Sequence, residues 1–282
     1  MENSTILQKN MASRIIFLGT GGSQAVTGKQ YRATGGIVIQ TGEHQFHLDP
    51  GPGALTRSAE YSINPRETTA VFCTHAHLTH CNDVNVLLEA MTHAGEDKRG
   101  LLVANRTLLE GSNSFDPYVT NYHKRCVERV ILFEKGQKLG IDNLEIHATP
   151  TAHRDTNAIG LKFFTPDFVL TYSGDTKFNK ESTKFYKNSD ILVLNVVNPG
   201  GVEEGDNLNV NSAIKIVNTV APKLLVITHF GIKALKADPL IMARQIQRVT
   251  QVQTLAAKDG MVINPQSYSA GIKQKTLNLY KL

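Results

Sequence analysis

From Arg14 onward, apolar and polar positions alternate in short blocks whose spacing switches between strand-like and helix-like. The runs IIFLG (15–19), GIVIQ (36–40), HQFHLD (44–49) and TAVFC (69–73) are β-rich and bounded by Gly, Pro or Asn, which predicts strands. Val84, Leu87, Leu88 and Met91 follow i, i+3, i+4, i+7 spacing, which predicts an amphipathic helix over 83–92 with Asn82 as its N-cap. Further strands are predicted at LLVAN (101–105), RVILF (129–133), LEIHA (144–148), AIGLKFF (158–164) and FVLTY (168–172). ILVLNVV (191–197) and KLLVIT (223–228) are apolar runs of the kind found in strands buried on both faces. Val210, Ile214 and Val217 mark a helix between them. A last helix starts at Pro239, with Asp238 as cap and Met242, Ile246 and Val249 on one face.

Two strands share an ending: TAVFCTH (69–75) and LLVITH (224–229) each close on Thr-His. Open α/β sheets place ligands at the C-terminal ends of their strands, so two parts of the chain aim a histidine at one site. With no low-complexity segment, short repeat or Pro/Ser-rich linker, a single domain is expected.

Composition narrows the class. The 282 residues carry 30 Lys or Arg against 25 Asp or Glu, a formal +5, with 41 % hydrophobic and 20 % charged residues. That is globular composition, and it excludes disorder for the chain as a whole. No apolar run approaches the roughly 20 residues of a bilayer crossing, and MENSTILQKNMASR at the start is not expected to be a secretory signal. Cys73, Cys81 and Cys126 form neither a disulfide framework nor a C-x-x-C clamp, so a reducing cytoplasm is the expected compartment. The basic excess permits an anionic substrate without requiring one.

Ten residues are histidine, and their positions carry the chemistry. Thr74-His75-Ala76-His77-Leu78-Thr79-His80-Cys81-Asn82-Asp83 follows directly on the strand 69–73. On a turn leaving a strand, His75 and His77 can converge on one ion while His80 reaches it from the following helix; Zn²⁺ prefers such nitrogen donors. Later segments add His153 in a loop between strands, Asp175 in YSGDT (172–176) and His229 in VITHFG (226–231). Taken singly, each of these is more often a cap or a polar rim residue; together, in this order, they point to a metal site. FLGTGG (17–22) has a rival reading as a phosphate-cradling loop, but lacks the G-K-[ST] ending of a P-loop.

The order H-x-H-x-x-H, a later His, S-G-D-T and T-H-F-G resembles the metallo-β-lactamase-fold hydrolases, in their ribonuclease Z-like branch. FLGTGGS (17–23) and LDPGPGA (48–54) match that branch too, so the resemblance spans about residues 14–264. It implies an α/β fold, a four-layer αββα sandwich in a single domain. The divisions would be a flexible extension over 1–13, a hydrolase domain over 14–266 and a C-terminal tail over 267–282. It further implies that His75, His77 and His153 hold one metal, His80 and His229 a second, and that Asp175 bridges both. Asp49 would orient a ligand, and Asp175 with His229 would be catalytic. The expected function is hydrolysis of phosphodiester or related ester bonds through a metal-activated water. The cofactor would be one or two zinc ions, with manganese or iron as substitutes.

One departure stands out. The family pattern is H-x-H-x-D-H, and Thr79 occupies the aspartate position. A hydroxyl is a poor ligand and a poor base, so a weak or empty second site is expected, with Asp83 one helical turn on as a candidate replacement. A degenerate, metal-binding member with weak turnover is therefore the alternative. Leu194-Asn195-Val196-Val197 and Asn207-Leu208-Asn209 replace the His-Glu-Ala-Thr and His-Ser/Thr-Thr elements of the ribonuclease Z enzymes, and no tRNA-gripping arm is evident. A small anionic or phosphoester substrate is expected, with nucleic acid not supported by the net charge, no membrane partner, and a homo-oligomer permitted. His44, His47 and His147 are expected to face solvent or an edge, and Cys81 to be a buried neighbour of the ligands. His123-Lys124-Arg125 reads as a solvated helix face, and Asp259 as structural. Lys233, Lys236 and Arg244 flank the site and could meet an anion. The basic tail from Lys273 to Lys281 is expected to fray.

Overall fold

The computed structural model describes residues 12–113, 115–202 and 205–269. The expected extension and the tail from Lys273 to Lys281 fall almost wholly outside these. In chain order the strands are β1 (Arg14–Phe17), β2 (Ile37–Thr41), β3 (His44–Leu48), β4 (Thr68–Cys73), β5 (Leu101–Ala104), β6 (Arg129–Leu132), β7 (Lys138–Ile141) and β8 (Leu144–Pro150). There follow β9 (Ile159–Phe164), β10 (Val169–Tyr172), β11 (Ile191–Asn198), β12 (Leu208–Asn209), β13 (Leu224–Thr228), β14 (Gln253–Ala256) and β15 (Val262–Ile263). They form two sheets, ordered β15–β1–β2–β3–β4–β5–β6 and β14–β13–β11–β10–β9–β8–β7, with β12 beside β11.

Strand periodicity explains why helices cover both outer faces. On β11, Ile191 and Val193 enter the core between the sheets, while Leu192 and Leu194 enter a second core beneath helices Val210–Val220 and Pro239–Thr250. On β4, Ala70 and Phe72 point between the sheets, and Val71 and Cys73 pack under the helix Val84–Thr92 with Leu87, Leu88 and Met91. Successive side chains of a strand face opposite sides, so a continuous apolar run fits only a strand covered on both. The result is the four-layer αββα sandwich. Phe46 and Phe72 of the first sheet meet Phe163 of the second at ring centroids 5.7 and 5.5 Å apart, which ties the inner faces together.

Several expectations shift. The helix with Asn82 as its expected cap starts at Val84 with Asp83 in the N-cap position, and neither side chain caps it. Val249 is 52 % exposed, because burial along the last helix stops at Ile246, a turn before the helix ends. The expected placement of His47 at solvent or an edge is overturned: it is 1 % exposed. The segment from Ala54 to Thr68 covers the outer face of β3, where Gln45 Nε2 donates to Asn64 O and Thr68 Oγ1, each at 2.9 Å. His47 Nε2–H donates to Gly35 O at 2.8 Å. His44 and His147 are half-buried on interior strands, against Asp142 and Glu145.

At the end of β3, Asp49 is 2 % exposed and its backbone takes φ +51°. Its Oδ1 accepts Thr74 N–H at 2.7 Å, and its Oδ2 accepts Thr74 Oγ1–H, Tyr172 O–H and His80 Nδ1–H, each at 2.8 Å. Thr74 follows the first sheet's β4 and Tyr172 ends the second sheet's β10, so this carboxylate joins the two sheets at one edge.

Two predictions follow from these buried groups. Replacing Asp49 by Asn puts an amide NH₂ among groups that already donate, and should lower unfolding free energy in urea by roughly 2–4 kcal/mol; an unchanged midpoint would contradict it. Burial lowers the His47 pKa from the ordinary 6.5 to about 4, against opposing contributions from Gly35 O, Asp49 and Asp83. The unfolded chain therefore binds a proton that the fold excludes as pH falls from 6.5 toward 4. This component of stability is complete above 6.5 and declines below it by up to about 1.4 kcal/mol per pH unit. His47→Gln should flatten the pH dependence of urea midpoints by that single-proton slope.

Candidate metal centre

The strands carry their chemistry at their C-terminal ends. After β4 the chain runs through Thr74-His75-Ala76-His77 into a single helical turn, Leu78–Cys81, which contains Thr79 and His80. His153 lies in the loop between β8 and β9, Asp175 follows β10 through Ser173-Gly174, and His229 follows β13. The shared Thr-His ending thus places His75 from one sheet and His229 from the other at the same edge.

Two donor groups result. His75, His77, His153 and Asp175 present ligand atoms all within 4.8 Å of one another, and so do His80, Asp175 and His229. His75 Nε2 lies 3.1 Å from His77 Nδ1, which lies 3.4 Å from His153 Nε2. His80 Nε2 lies 3.2 Å from His229 Nε2. Asp175 Oδ2 stands 3.8 Å from His75 Nε2 and 3.5 Å from His80 Nε2, and Oδ1 stands 3.4 Å from His229 Nε2. Asp175 belongs to both groups.

Hydrogen bonding decides what these atoms offer. The Thr74 hydroxyl gives its proton to Asp49, so it accepts Nδ1–H of His75 at 3.0 Å and leaves His75 Nε2 with a lone pair. His153 Nδ1–H donates to Asp206 O at 3.1 Å, which likewise turns a lone pair inward. His80 Nδ1–H is held by Asp49. The Nε2 lone pairs of His75 and His153 therefore both point toward His77 Nδ1, where a cation would satisfy them. The donor set, imidazole nitrogens with one carboxylate, fits a divalent transition metal.

The titration behaviour agrees with that fit. Burial holds His75 and His77 below the ordinary imidazole value, with neighbouring imidazoles adding to the effect, and burial also lowers His229. Burial would lower His80 as well, but Asp175 and Asp49 outweigh it and carry the group to about 10. Burial raises Asp175, yet His229 and His80 prevail and hold it well below the usual carboxylate range. Three rings are thus neutral and ready to ligate, and a metal entering the second group must displace the His80 proton.

The loops carry matching constraints. A Cβ on Gly22 would lie 1.9 Å from His229 O, and one on Gly51 would lie 2.1 Å from Thr79 O. FLGTGGS and LDPGPGA are therefore glycine-rich so that their backbones can press against the ligand segments. Asp259 receives Thr20 N, Thr20 Oγ1 and Ala33 N at 2.7–2.9 Å, fixing the first of these loops in the structural role expected.

Asp83 does not join the second group. Its carboxylate turns back to Leu55 N at 3.4 Å and Asn82 Nδ2 at 2.9 Å, as suits a residue heading a helix. Thr79 borders a small cavity of about 20 Å³ beside His80 and His229 and brings no charge to it. Cys81 is fully buried, its thiol against His77 O. Lys233, Lys236 and Arg244 do not line the cleft over the donor groups, and His123 pairs with Glu89 at 3.1 Å.

Three contributors escaped the sequence reading. Asn195, 1 % exposed, donates Nδ2–H to Asp175 Oδ1 at 2.7 Å and to Tyr172 Oη at 3.2 Å. Its signal was an amide interrupting an otherwise apolar strand. Tyr172, at the end of β10, links that amide to Asp49. Asp155, two residues after His153, accepts Ala76 N, Asn105 Nδ2, Thr107 Oγ1 and Asn157 N at 2.7–3.3 Å, and so locks the His153 loop to the His75–His77 turn. The donor groups lie at the floor of a cleft of about 780 Å³, where His77, His153 and Asp175 are reached from solvent.

Comparison with known proteins agrees with this architecture. Residues 44–230 match the model of the beta-lactamase superfamily domain. An uncharacterized protein of Methanocaldococcus jannaschii is 33 % identical over 255 residues, covering 90 % of this chain and 95 % of that one. Ribonuclease Z of Methanothermobacter thermautotrophicus is 21 % identical, over 91 % of this chain and 98 % of its own. The crystal structure of the metallo-beta-lactamase fold protein YhfI from Bacillus subtilis superposes with a TM-score of 0.74 at 18 % identity, covering 89 % of this chain and 99 % of that one. With two sheets between helical layers and the family's histidine-aspartate order at their common edge, the chain belongs to the beta-lactamase superfamily and has the metallo-β-lactamase fold.

Proposed function

We propose that the chain is a metal-dependent hydrolase of phosphodiester or related ester bonds. The observation that carries this reading is the pair of donor groups sharing Asp175 at the floor of an open cleft. The name of the ribonuclease Z relative, an enzyme of RNA, supports phosphodiester chemistry. His75, His77, His153 and Asp175 would hold one ion, and His80, His229 and Asp175 a second. Zinc suits these donors best, with manganese or iron acceptable to the same set. Such an ion, when bound, polarises the ester oxygen and acidifies water.

The remaining work belongs to the chain. Asp175 and His229 fix where attacking water sits relative to the ester. Asn195 holds Asp175 Oδ1, so Oδ2 stays directed toward His75 and His80. Asp49 and Thr74 keep His80 and His75 in the tautomers that ligation needs. Zinc- or manganese-supplemented protein should hydrolyse bis(p-nitrophenyl) phosphate. His75→Ala should lower kcat/KM by about a hundredfold or more, since loss of a ligand exceeds loss of a supporting partner. Activity that survives this substitution would mean the reaction occurs elsewhere.

The weaker-turnover reading keeps one specific support: the second group has three members against four in the first, with Thr79 where a carboxylate would complete it. Metal analysis should therefore find one tightly held ion and one lost on dialysis. Thr79→Asp should retain both and raise kcat. Two tightly held ions in the unaltered protein would sink this expectation.

A further inference from the structure

The cleft above the donor groups has walls of unequal chemistry. Leu78, Phe115, Tyr118 and Val197 make it largely apolar, and Leu78 is 57 % exposed at its mouth. The Phe115 ring stands 6.4 Å from the His77 ring, centroid to centroid, so a group attached to an ester at the floor comes within reach of its face. Neither aromatic hangs freely. Phe115 is tied through its backbone to Ser112 in both directions, at 2.7 and 3.3 Å, and Tyr118 Oη–H donates to Asn82 O at 3.0 Å.

The charges in the cleft are sparse. Among its described lining residues Arg154 is the one Lys or Arg, against Asp116, Asp175 and Asp206. The Arg154 side chain is 77 % exposed, and its Nε lies 3.3 Å from Asp206 Oδ2. A polynucleotide needs cations repeated along its backbone, and a single guanidinium beside a carboxylate supplies no such track.

Building on the hydrolase reading above, we propose that the cleft selects a small phosphoester bearing a flat aromatic substituent, a nucleobase or aryl group. The ring stacks on Phe115 and packs against Leu78, while Arg154 pairs with a phosphate oxygen. Phe115 is a specificity-determining residue, because a ring face contributes affinity that depends on the substituent rather than on the phosphate.

Equilibrium binding to the full chain, with and without zinc, tests this through affinity rather than turnover. Adenosine 5′-monophosphate should bind at least about tenfold more tightly than ribose 5-phosphate. Phe115→Ala should bring that ratio toward one, and Phe115→Leu, which keeps apolar bulk without a ring face, should reduce it part-way. Equal affinities in the unaltered protein, binding of neither ligand, or a ratio indifferent to both substitutions would overturn the proposal. So would a short single-stranded RNA that binds more than about a hundredfold tighter than the mononucleotide with steep salt dependence. AMP selectivity without hydrolysis or metal retention would sink the hydrolase reading alone; hydrolysis without selectivity would sink only this one.

Discussion

A carboxylate withdrawn from water must find donors for its lone pairs, and Asp49 finds four, three on Thr74 and His80 beyond β4 and one on Tyr172 of the other sheet. Each consequence passes one bond further. Thr74, having given its proton to Asp49, accepts from His75 and so fixes which nitrogen of that ring is free. Tyr172, donating to the same carboxylate, accepts from Asn195, and Asn195 holds Asp175. His80 is bound to Asp49 directly. One buried anion therefore sets ligands in both donor groups, and it does so across the seam between the sheets. The aromatic contact of Phe46, Phe72 and Phe163 closes that seam elsewhere, but carries no directional information to the site.

The site also needs backbone that ordinary strands do not supply. Asp49 and His229 both take positive φ, at +51° and +61°, a region that β-carbon sterics disfavour. Each is held from two sides. Asp49 N–H donates to Phe72 O at 2.8 Å, and the chain just beyond His229 is pinned where Phe230 N–H donates to Thr20 O at 2.8 Å and Phe230 O accepts Gly22 N–H at 2.9 Å. The glycine loops that press on these segments are thus part of the same device: with a side chain at Gly22, His229 could not keep its place.

What could be read from the residues alone follows a physical division. Strands such as β4, β11 and β13 were legible because burial on both faces leaves an unbroken apolar run. The histidines announced themselves by clustering at strand ends. His47 was misplaced because alternation along a strand gives its two faces but not what lies over them; the segment from Ala54 to Thr68 covers one. Val249 failed for the converse reason, since helical phase cannot say where the covered surface stops. Asn195 and Asp155 act through hydrogen bonds to groups 20 or more positions away. Spacing along the chain carries no trace of such partners; only an amide inside an apolar strand hints at them.

Thr79 gains a different meaning once these bonds are known. Set against the family pattern, it removes a negative charge from the second donor group. That charge is not wholly missing from the neighbourhood, because Asp49 lies 2.8 Å from Nδ1 of His80, a member of that group. A carboxylate on the far nitrogen raises the basicity of the near one. The same contact, with Asp175, carries the His80 pKa to about 10, so a proton competes with any metal for Nε2. The electrostatics that compensate for Thr79 therefore also strengthen the competitor. The first group has no such conflict: burial, with the neighbouring imidazoles His80 and His153 adding to it, keeps His75 and His77 below the ordinary value. The asymmetry between the two groups thus lies less in the number of ligands than in which of them must first give up a proton.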